Sequence, residues 1–452
     1  MTVTSALAGF AAGTDDLPDD VLDAAKIAVL DGIANLAAGS VQPIADVVRP
    51  YVNSKGGTGE ASVVGQRQLL PTTSAAWLNG VFMHCLDYEI QGYPSAHGTS
   101  SILPAALAIA ERDGRSGADL LLAYAIGWDV QQRIRSAGQK ADLRGFHPPG
   151  VVGPLGAVAA SGRLLDLTPE RMAAAMGLAA SRAGGLFANN GTMGKATHPG
   201  SAARAGVESA ELAAAGMTAN TEIFEDHRGY LAALFGGVFD GDEAIAELGS
   251  RWQLVDPGFT IKPYPAEIYM QWPIDAARSL VAEESFEPAD VVSVEVEPPN
   301  YRRDLSRPAP ASGLDGKFSY EYCVAVALTQ PAVRIASFSD DVRFSAPVEA
   351  MLRKITLVEN PATPTDKRTT WSTVRVFLRD GRWLSNRCTR FVGDPTRPMD
   401  RDTRLAKVRD CLTTGGLGHA VDDIVALVED MEHLPDVTGL TRLLRSAGGE
   451  QA

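Results

Sequence analysis

Apolar residues recur at helical spacing through the first 255 or so positions, which are rich in Ala, Leu and Gly and broken by short polar or Gly/Pro segments. A stripe returning every three to four residues buries one face of a helix, and small side chains let helix axes approach closely. Asp15-Asp16-Leu17-Pro18-Asp19-Asp20 places acids and a proline ahead of the run VLDAAKIAVLDGIANLAAG, a helix start. The same spacing predicts helices over about 73–86, 101–113, 117–137, 151–163, 168–180 and 200–216. This part reads as an all-α block.

Near residue 256 the pattern changes. Prolines cluster in Lys262-Pro263-Tyr264-Pro265, and period-two alternation appears in the VVSVEV run from Val291 and again in STVRVFLRDGRWLSNR, where Asp380-Gly381 marks a hairpin turn. The segment PVEAMLRKITLV, 347–358, reads as a helix turning into a strand. After Pro395 and Pro398 the helical pattern returns in RDTRLAKVRDCL and HAVDDIVALVEDM. The expected fold class is mainly α with a smaller α+β domain. Residues 1–255 and 398–452 make the large helical domain, and 256–397 the smaller one, within a chain of 452 residues that is long enough for two cores.

Charge then narrows the partners. A formal net charge of −14 without a basic stripe argues against nucleic acid. It also repels anionic small molecules at long range, so a carboxylate substrate needs a local cationic pocket, which the Lys195 region can supply. Cys85, Cys323, Cys388 and Cys411 are far apart and form no CxxC pair, which speaks against a zinc ribbon or a cysteine-held cluster and for a reducing cytoplasm. The segment MTVTSALAGFAAGTDDLPDD lacks a basic region followed by a long apolar one, and no stretch is apolar for a membrane-spanning length. A cytoplasmic protein without a membrane partner is expected.

Titratable groups concentrate in HCLDYEIQGYPSAH, from His84 to His97, between two apolar helices. Several ionisable groups on one connection point to proton chemistry. Asp87 and His97 lie ten apart across a turn, so the carboxylate can orient the imidazole for proton exchange with a substrate carbon. His147, in Arg144-Gly145-Phe146-His147-Pro148, precedes a Gly-spaced helix whose N-terminus suits an anion. Lys195 follows Asn190-Gly191-Thr192-Met193-Gly194 and can neutralise a carboxylate or the charge that grows on a carbon losing a proton or CO2. Neither GxGxxG after a strand nor GxxxxGK[ST] is present, so this is not a nucleotide loop.

Five blocks together resemble the MmgE/PrpD family. They are Asn79-Gly80 with His84-Cys85-Leu86-Asp87-Tyr88, His97 and Leu103-Pro104-Ala105; Gly145-Phe146-His147-Pro148 with Val152-Gly153; Gly191 to Lys195 with His198-Pro199-Gly200; Lys262 to Pro265 with Asp275-Ala276; and Phe318-Ser319-Tyr320-Glu321-Tyr322. The resemblance implies a large helical domain with an inserted lid, a pocket between them, a homodimer, and turnover of di- and tricarboxylates without metal, flavin or nicotinamide. It assigns Asp87, His97, His147, Lys195 and Tyr322 as catalytic, with Tyr322 orienting the departing group. His84, Gln91, Lys262, Tyr264 and Gln271 are the implied substrate-binding residues, Lys262 and Tyr264 shaping the lid entrance.

Two departures qualify the pattern. Gln271 stands where many members carry a histidine, and it cannot shuttle a proton. Tyr88-Glu89-Ile90-Gln91 replaces a more acidic and hydroxylated run, and Ile90 is expected to leave a less polar wall, suited to a substrate with fewer carboxylates. The function expected is a cofactor-independent lyase, a dehydratase or decarboxylase, acting on a small di- or tricarboxylate by proton transfer next to a carboxylate. An epimerase or isomerase of an amino- or imino-dicarboxylate on the same fold is one alternative. A non-catalytic carboxylate-binding homologue is another.

Overall fold

Side-chain caps set where several helices begin. Thr2 opens α1 (Val3–Gly13) with a capping box, and α2 (Asp19–Gly39) and α3 (Pro43–Asn53) follow. Next come α4 (Thr72–His84), α5 (Thr99–Asp113) and α6 (Gly117–Ala137), the last capped by Ser116 with Asp119. Then α7 (Pro148–Leu164), α8 (Pro169–Ala180) and α9 (Thr197–Ala214) complete the helical body, Thr168 capping α8. This computed structural model describes residues 1–141, 143, 145–299 and 302–447; Arg144 of the second sequence block lies outside them. Two of these helices, α1 and α3, add to the pattern expected from periodicity. The first is apolar on nearly every side and the second is short with Pro50 inside it.

Small residues bring these helices into backbone contact. A Cβ built on Gly80 of α4 would lie 2.8 Å from Gly200 Cα of α9 and 2.9 Å from the Ser100 carbonyl oxygen of α5. A Cβ on Gly206 would similarly fall 2.4 Å from that of Ala157. Close crossing at these points fixes the start of α9, and with it the short 3-10 turn Met193–Ala196 that carries Lys195.

The sheet forms where the sequence alternates. Strands β1 (Gln91–Gly92) and β2 (Phe259–Thr260) make a small antiparallel pair that ties the His84–His97 connection to the chain leading into the second part. Strands β3 (Val291–Glu297), β4 (Ile355–Leu357), β5 (Ser372–Leu378) and β6 (Trp383–Cys388) form a four-stranded sheet in the order β4-β3-β5-β6. Only β3 and β4 pair in parallel. Helices Gln271–Glu283 and Tyr320–Thr329 pack against this layer. Helix Ala346–Leu352 turns directly into β4, and Gly381 closes the β5–β6 hairpin with φ 91°.

Buried apolar side chains fall into two clusters. One draws on residues 3–261 and 399–447 with Ile335 added, and helices Arg401–Thr414 and Val421–Glu429 pack on α2 within it. The other draws on residues 266–391 and includes Trp272, Phe318 and Tyr322. The two parts are called body and lid below. Among the described residues no helix is long and apolar enough to cross a membrane.

Gly80→Ala tests the close crossing. Because backbone atoms oppose the new methyl group, the substitution is expected to cost about 1–3 kcal/mol, read as a lower urea midpoint with an unchanged denaturant slope.

Candidate active site

Helix α4 ends at His84, and three residues later Asp87 takes a left-handed backbone conformation, φ 53°, rare for a residue other than glycine. The turn sets its carbonyl and its buried carboxylate within reach of one ammonium: Lys262 Nζ donates to Asp87 Oδ1 at 2.6 Å and to its main-chain oxygen at 2.9 Å. Lys195 donates to Oδ2 through a short contact, and His97 Nε2 lies 3.3 Å from Oδ1. Burial pushes the Asp87 carboxyl up, but Lys195, Lys262 and His97 outweigh it and hold the group well below the usual carboxylate range. Asp87 is therefore a fixed anion. It holds both lysines and the imidazole around one buried carboxylate.

Glu89 lies fully buried between two imidazoles. His84 Nδ1 is 2.5 Å and His97 Nδ1 3.0 Å from its Oε1. Burial raises this carboxyl, and His97 and His84 bring it well below its ordinary value. Gln91 Nε2 donates to His97 Nε2 at 3.2 Å, which leaves Nδ1 carrying the ring proton toward Glu89. Protonation of Nε2 turns that nitrogen toward Asp87 instead. His97 can thus hold a proton on either nitrogen with a carboxylate facing each.

Two further imidazoles stay neutral. His147 caps α7 just before Pro148, and its ring Nδ1 lies 3.1 Å from His198 Nδ1, so one ring donates and the other accepts. Burial, then Lys195 and the neighbouring histidines, drives His147 well below the usual histidine range. His84 goes down to about 4 through burial, opposed by Glu89. The His84 and His97 rings meet edge-on with centroids 4.6 Å apart.

Asp87, Gln91, His97, His147 and Lys195 line one cavity of about 350 Å³, closed from the lid by Glu267, Tyr269, Arg302 and Lys367 and from the body by Arg135. A second cavity of about 630 Å³ shares Asp87 and Lys195 with it and also meets His84, Lys317 and Phe318. Lys317 donates to the Leu86 carbonyl at 2.9 Å, and burial lowers its ammonium to about 8. Glu89, His84 and His97 also offer one donor atom each within 4.8 Å of one another, a group that could hold a metal ion. In this arrangement Glu89 Oε1 already faces both imidazoles.

Four residues expected at the substrate line neither cavity: Lys262, instead of shaping an entrance, is fully buried with its ammonium held by Asp87, and three others stand elsewhere. Tyr322 packs in the lid core, where its hydroxyl donates to the Ser337 carbonyl at 2.7 Å, because its helix is buried on almost every side. Tyr264 donates to Asp275 at 3.2 Å. The buried Gln271 amide accepts from Tyr264 N–H at 3.2 Å and donates to the carbonyls of Tyr264, Ala266 and Glu267, so it folds the turn after Lys262 and lines neither cavity. Ile90 also leaves the cavity wall: its side chain joins the body core while its N–H donates to Asp31 at 3.1 Å. Sequence reasoning passed over Glu89 and the cavity cations Arg135, Arg302 and Lys367. The available signal for Glu89 was its place two residues after Asp87 in the same connection.

The family model described as the MmgE/PrpD N-terminal domain matches residues 5–241, and that of the C-terminal domain matches residues 264–432. The chain belongs to the MmgE/PrpD family. Its relatives include proteins named cis-aconitate decarboxylase from Homo sapiens, 29% identical over 95% of this chain and 91% of that protein, and from Aspergillus terreus, 30% identical over 95% and 93%. A cis-aconitate decarboxylase-like protein, oryM, of Aspergillus oryzae is 34% identical over 53% of each chain. In this MmgE/PrpD protein the first match contains the Asp87, His97, His147 and Lys195 positions, and the second begins two residues after Lys262.

Neutral burial of His84 and His147 has a sign. Both folded values are depressed from about 6.5, that of His84 to about 4, so the unfolded chain binds more protons below about 6.5 and stability is lost as pH falls from there through the folded values. Denaturation midpoints measured across this range should fall in the wild type and fall less steeply in His147→Gln.

Proposed function

We propose that this protein is a lyase of small di- or tricarboxylates, and that its reaction is loss of CO2 from cis-aconitate or a close unsaturated analogue. The observation that carries the reading is the buried Asp87 carboxylate, clamped by Lys195 and Lys262 beside His97 in a cavity between body and lid. The names of relatives aligned over nearly the whole chain support the substrate.

The reaction balances without an electron acceptor. The bond from the saturated carbon to its carboxylate breaks, its electron pair forms a new double bond, and the old double bond's pair moves to the carbon beside a retained carboxylate. That carbon takes one proton, and CO2 leaves. Negative charge grows on the retained carboxylate, where the buried Lys195 ammonium stabilises it. His97 delivers the proton, with Glu89 and Asp87 keeping its ring oriented. The neutral His147 donates or accepts a hydrogen bond at the substrate from the start of α7. Dehydration of a hydroxylated tricarboxylate uses the same groups, with the proton taken from carbon and water lost.

Incubation with cis-aconitate, citrate, methylcitrate and an imino-dicarboxylate in deuterated water, followed by NMR, tests this. Cis-aconitate is expected to give CO2 and a methylidene dicarboxylate carrying one deuterium at the new C–H. Deuterium exchange without loss of CO2 or water would make the enzyme an epimerase, and no change in any compound would exclude catalysis on this class. Lys195→Met is expected to lower kcat about 10²–10³-fold.

A further inference from the structure

The loop between β4 and β5 brings Asp366-Lys367-Arg368 of the lid onto the connection that carries His97. Asp366 Oδ1 accepts from the Tyr93 hydroxyl at 2.9 Å, Lys367 donates to Ser95 Oγ through a short contact, and the Arg368 guanidinium lies 4.0 Å from the Tyr93 ring centroid. From the body, Arg135 of α6 reaches the same residue: its Nε donates to the Ser95 carbonyl at 3.3 Å. Arg135 Nη1 is buried and has no hydrogen-bond partner among the described residues. An unpaired buried donor is costly unless something supplies an acceptor.

Charge accounting points the same way. Asp87 is matched by Lys195 and Lys262, and Arg302 is paired with Asp304 at 2.6 Å. Among the described lining residues Glu267 is the acid on this side of the cavity, and its Oε2 already accepts the Tyr269 N–H at 2.7 Å. Among the described residues, Arg135 and Lys367 are left as cavity-lining cations whose hydrogen-bond acceptors are Ser95 oxygens.

We propose that Arg135 and Lys367 form a second anion subsite, which takes a substrate carboxylate remote from the one that reacts beside Lys195 and His97. The inference rests on the carboxylate-lyase reading and deepens it by naming the residues that hold the non-reacting carboxylate. Since one cation belongs to the body and the other to the lid loop, the bound anion bridges the two parts and holds the loop down. The charge state of Lys367 responds to occupancy. Burial brings it down to about 7, Glu267 opposes this, and Arg135, Lys262 and Arg302 add to it. A bound carboxylate restores the ammonium.

Calorimetric titration with tricarballylate, a saturated tricarboxylate that cannot lose CO2 by the allylic route, measures the subsite without turnover. Arg135→Gln and Lys367→Met are expected to weaken binding at least about tenfold, with Lys367→Arg staying near wild type. Wild-type affinity should fall as pH rises above about 7, where the free enzyme must take up a proton to bind, and Lys367→Met should lose that dependence. Undiminished affinity in both variants, or no binding by the wild type, would overturn the subsite. If tricarballylate binds through Arg135 and Lys367 but no carboxylate is turned over, the lyase reading alone fails. Turnover together with undiminished binding in the variants removes the subsite alone.

Discussion

A single buried carboxylate holds this site together. Asp87 collects ammonium groups from two distant stretches of chain, Lys195 ahead of α9 and Lys262 just beyond β2, and stands beside His97 ahead of α5. An ion buried this deeply is tolerated because two ammonium groups and an imidazole surround it, and removing Asp87 itself would leave buried lysines facing one another without their shared anion. The left-handed turn at Asp87 is strain kept by these contacts. The connection that carries Asp87 is therefore joined electrostatically to the chain leading into the lid, at the point where the chemistry is proposed to happen.

The distribution of charge explains how an acidic protein accommodates anions. The net charge of −14 concerns the molecule as a whole, while the cavity is bordered by Lys195, Arg135, Arg302 and Lys367. Desolvation strengthens those local interactions, and the distant surface acids are screened by solvent and salt. The neutral imidazoles complete the arrangement, since His84 and His147 can exchange hydrogen bonds without adding to the repulsion among the cations.

Local pattern made most of the helices legible. Apolar spacing gave 117–137 to the residue and the others to within a few positions, and alternation located β3, β5 and β6. Motif resemblance drew attention to Asp87, His97, His147 and Lys195, which the fold gathers around one cavity. What spacing cannot reveal is direction. Tyr322 sits on a ten-residue helix that is buried on almost every side, so spacing alone does not distinguish a core-facing ring from a pocket-facing one. Glu89, between a tyrosine and an isoleucine, looks like a lost polar position until His84 and His97 are seen on either side of it. Lys367 belongs to a loop more than 260 residues from Ser95, a pairing that only the folded chain establishes.

The connection between His84 and His97 is also supported from behind. Asp31 of α2 accepts the Ile90 N–H, and Lys407, from the helix Arg401–Thr414, binds Asp31 at 2.7 Å and the Tyr88 carbonyl at 2.8 Å. Asp31 is buried, and burial, with Glu89 adding to it, raises its carboxyl against the pull of Lys407, its counter-ion. The cation that braces the connection is thus made 319 residues after the Tyr88 carbonyl it holds, so on a ribosome the histidines must wait in an unbraced loop until the helix Arg401–Thr414 has been made and has docked on α2.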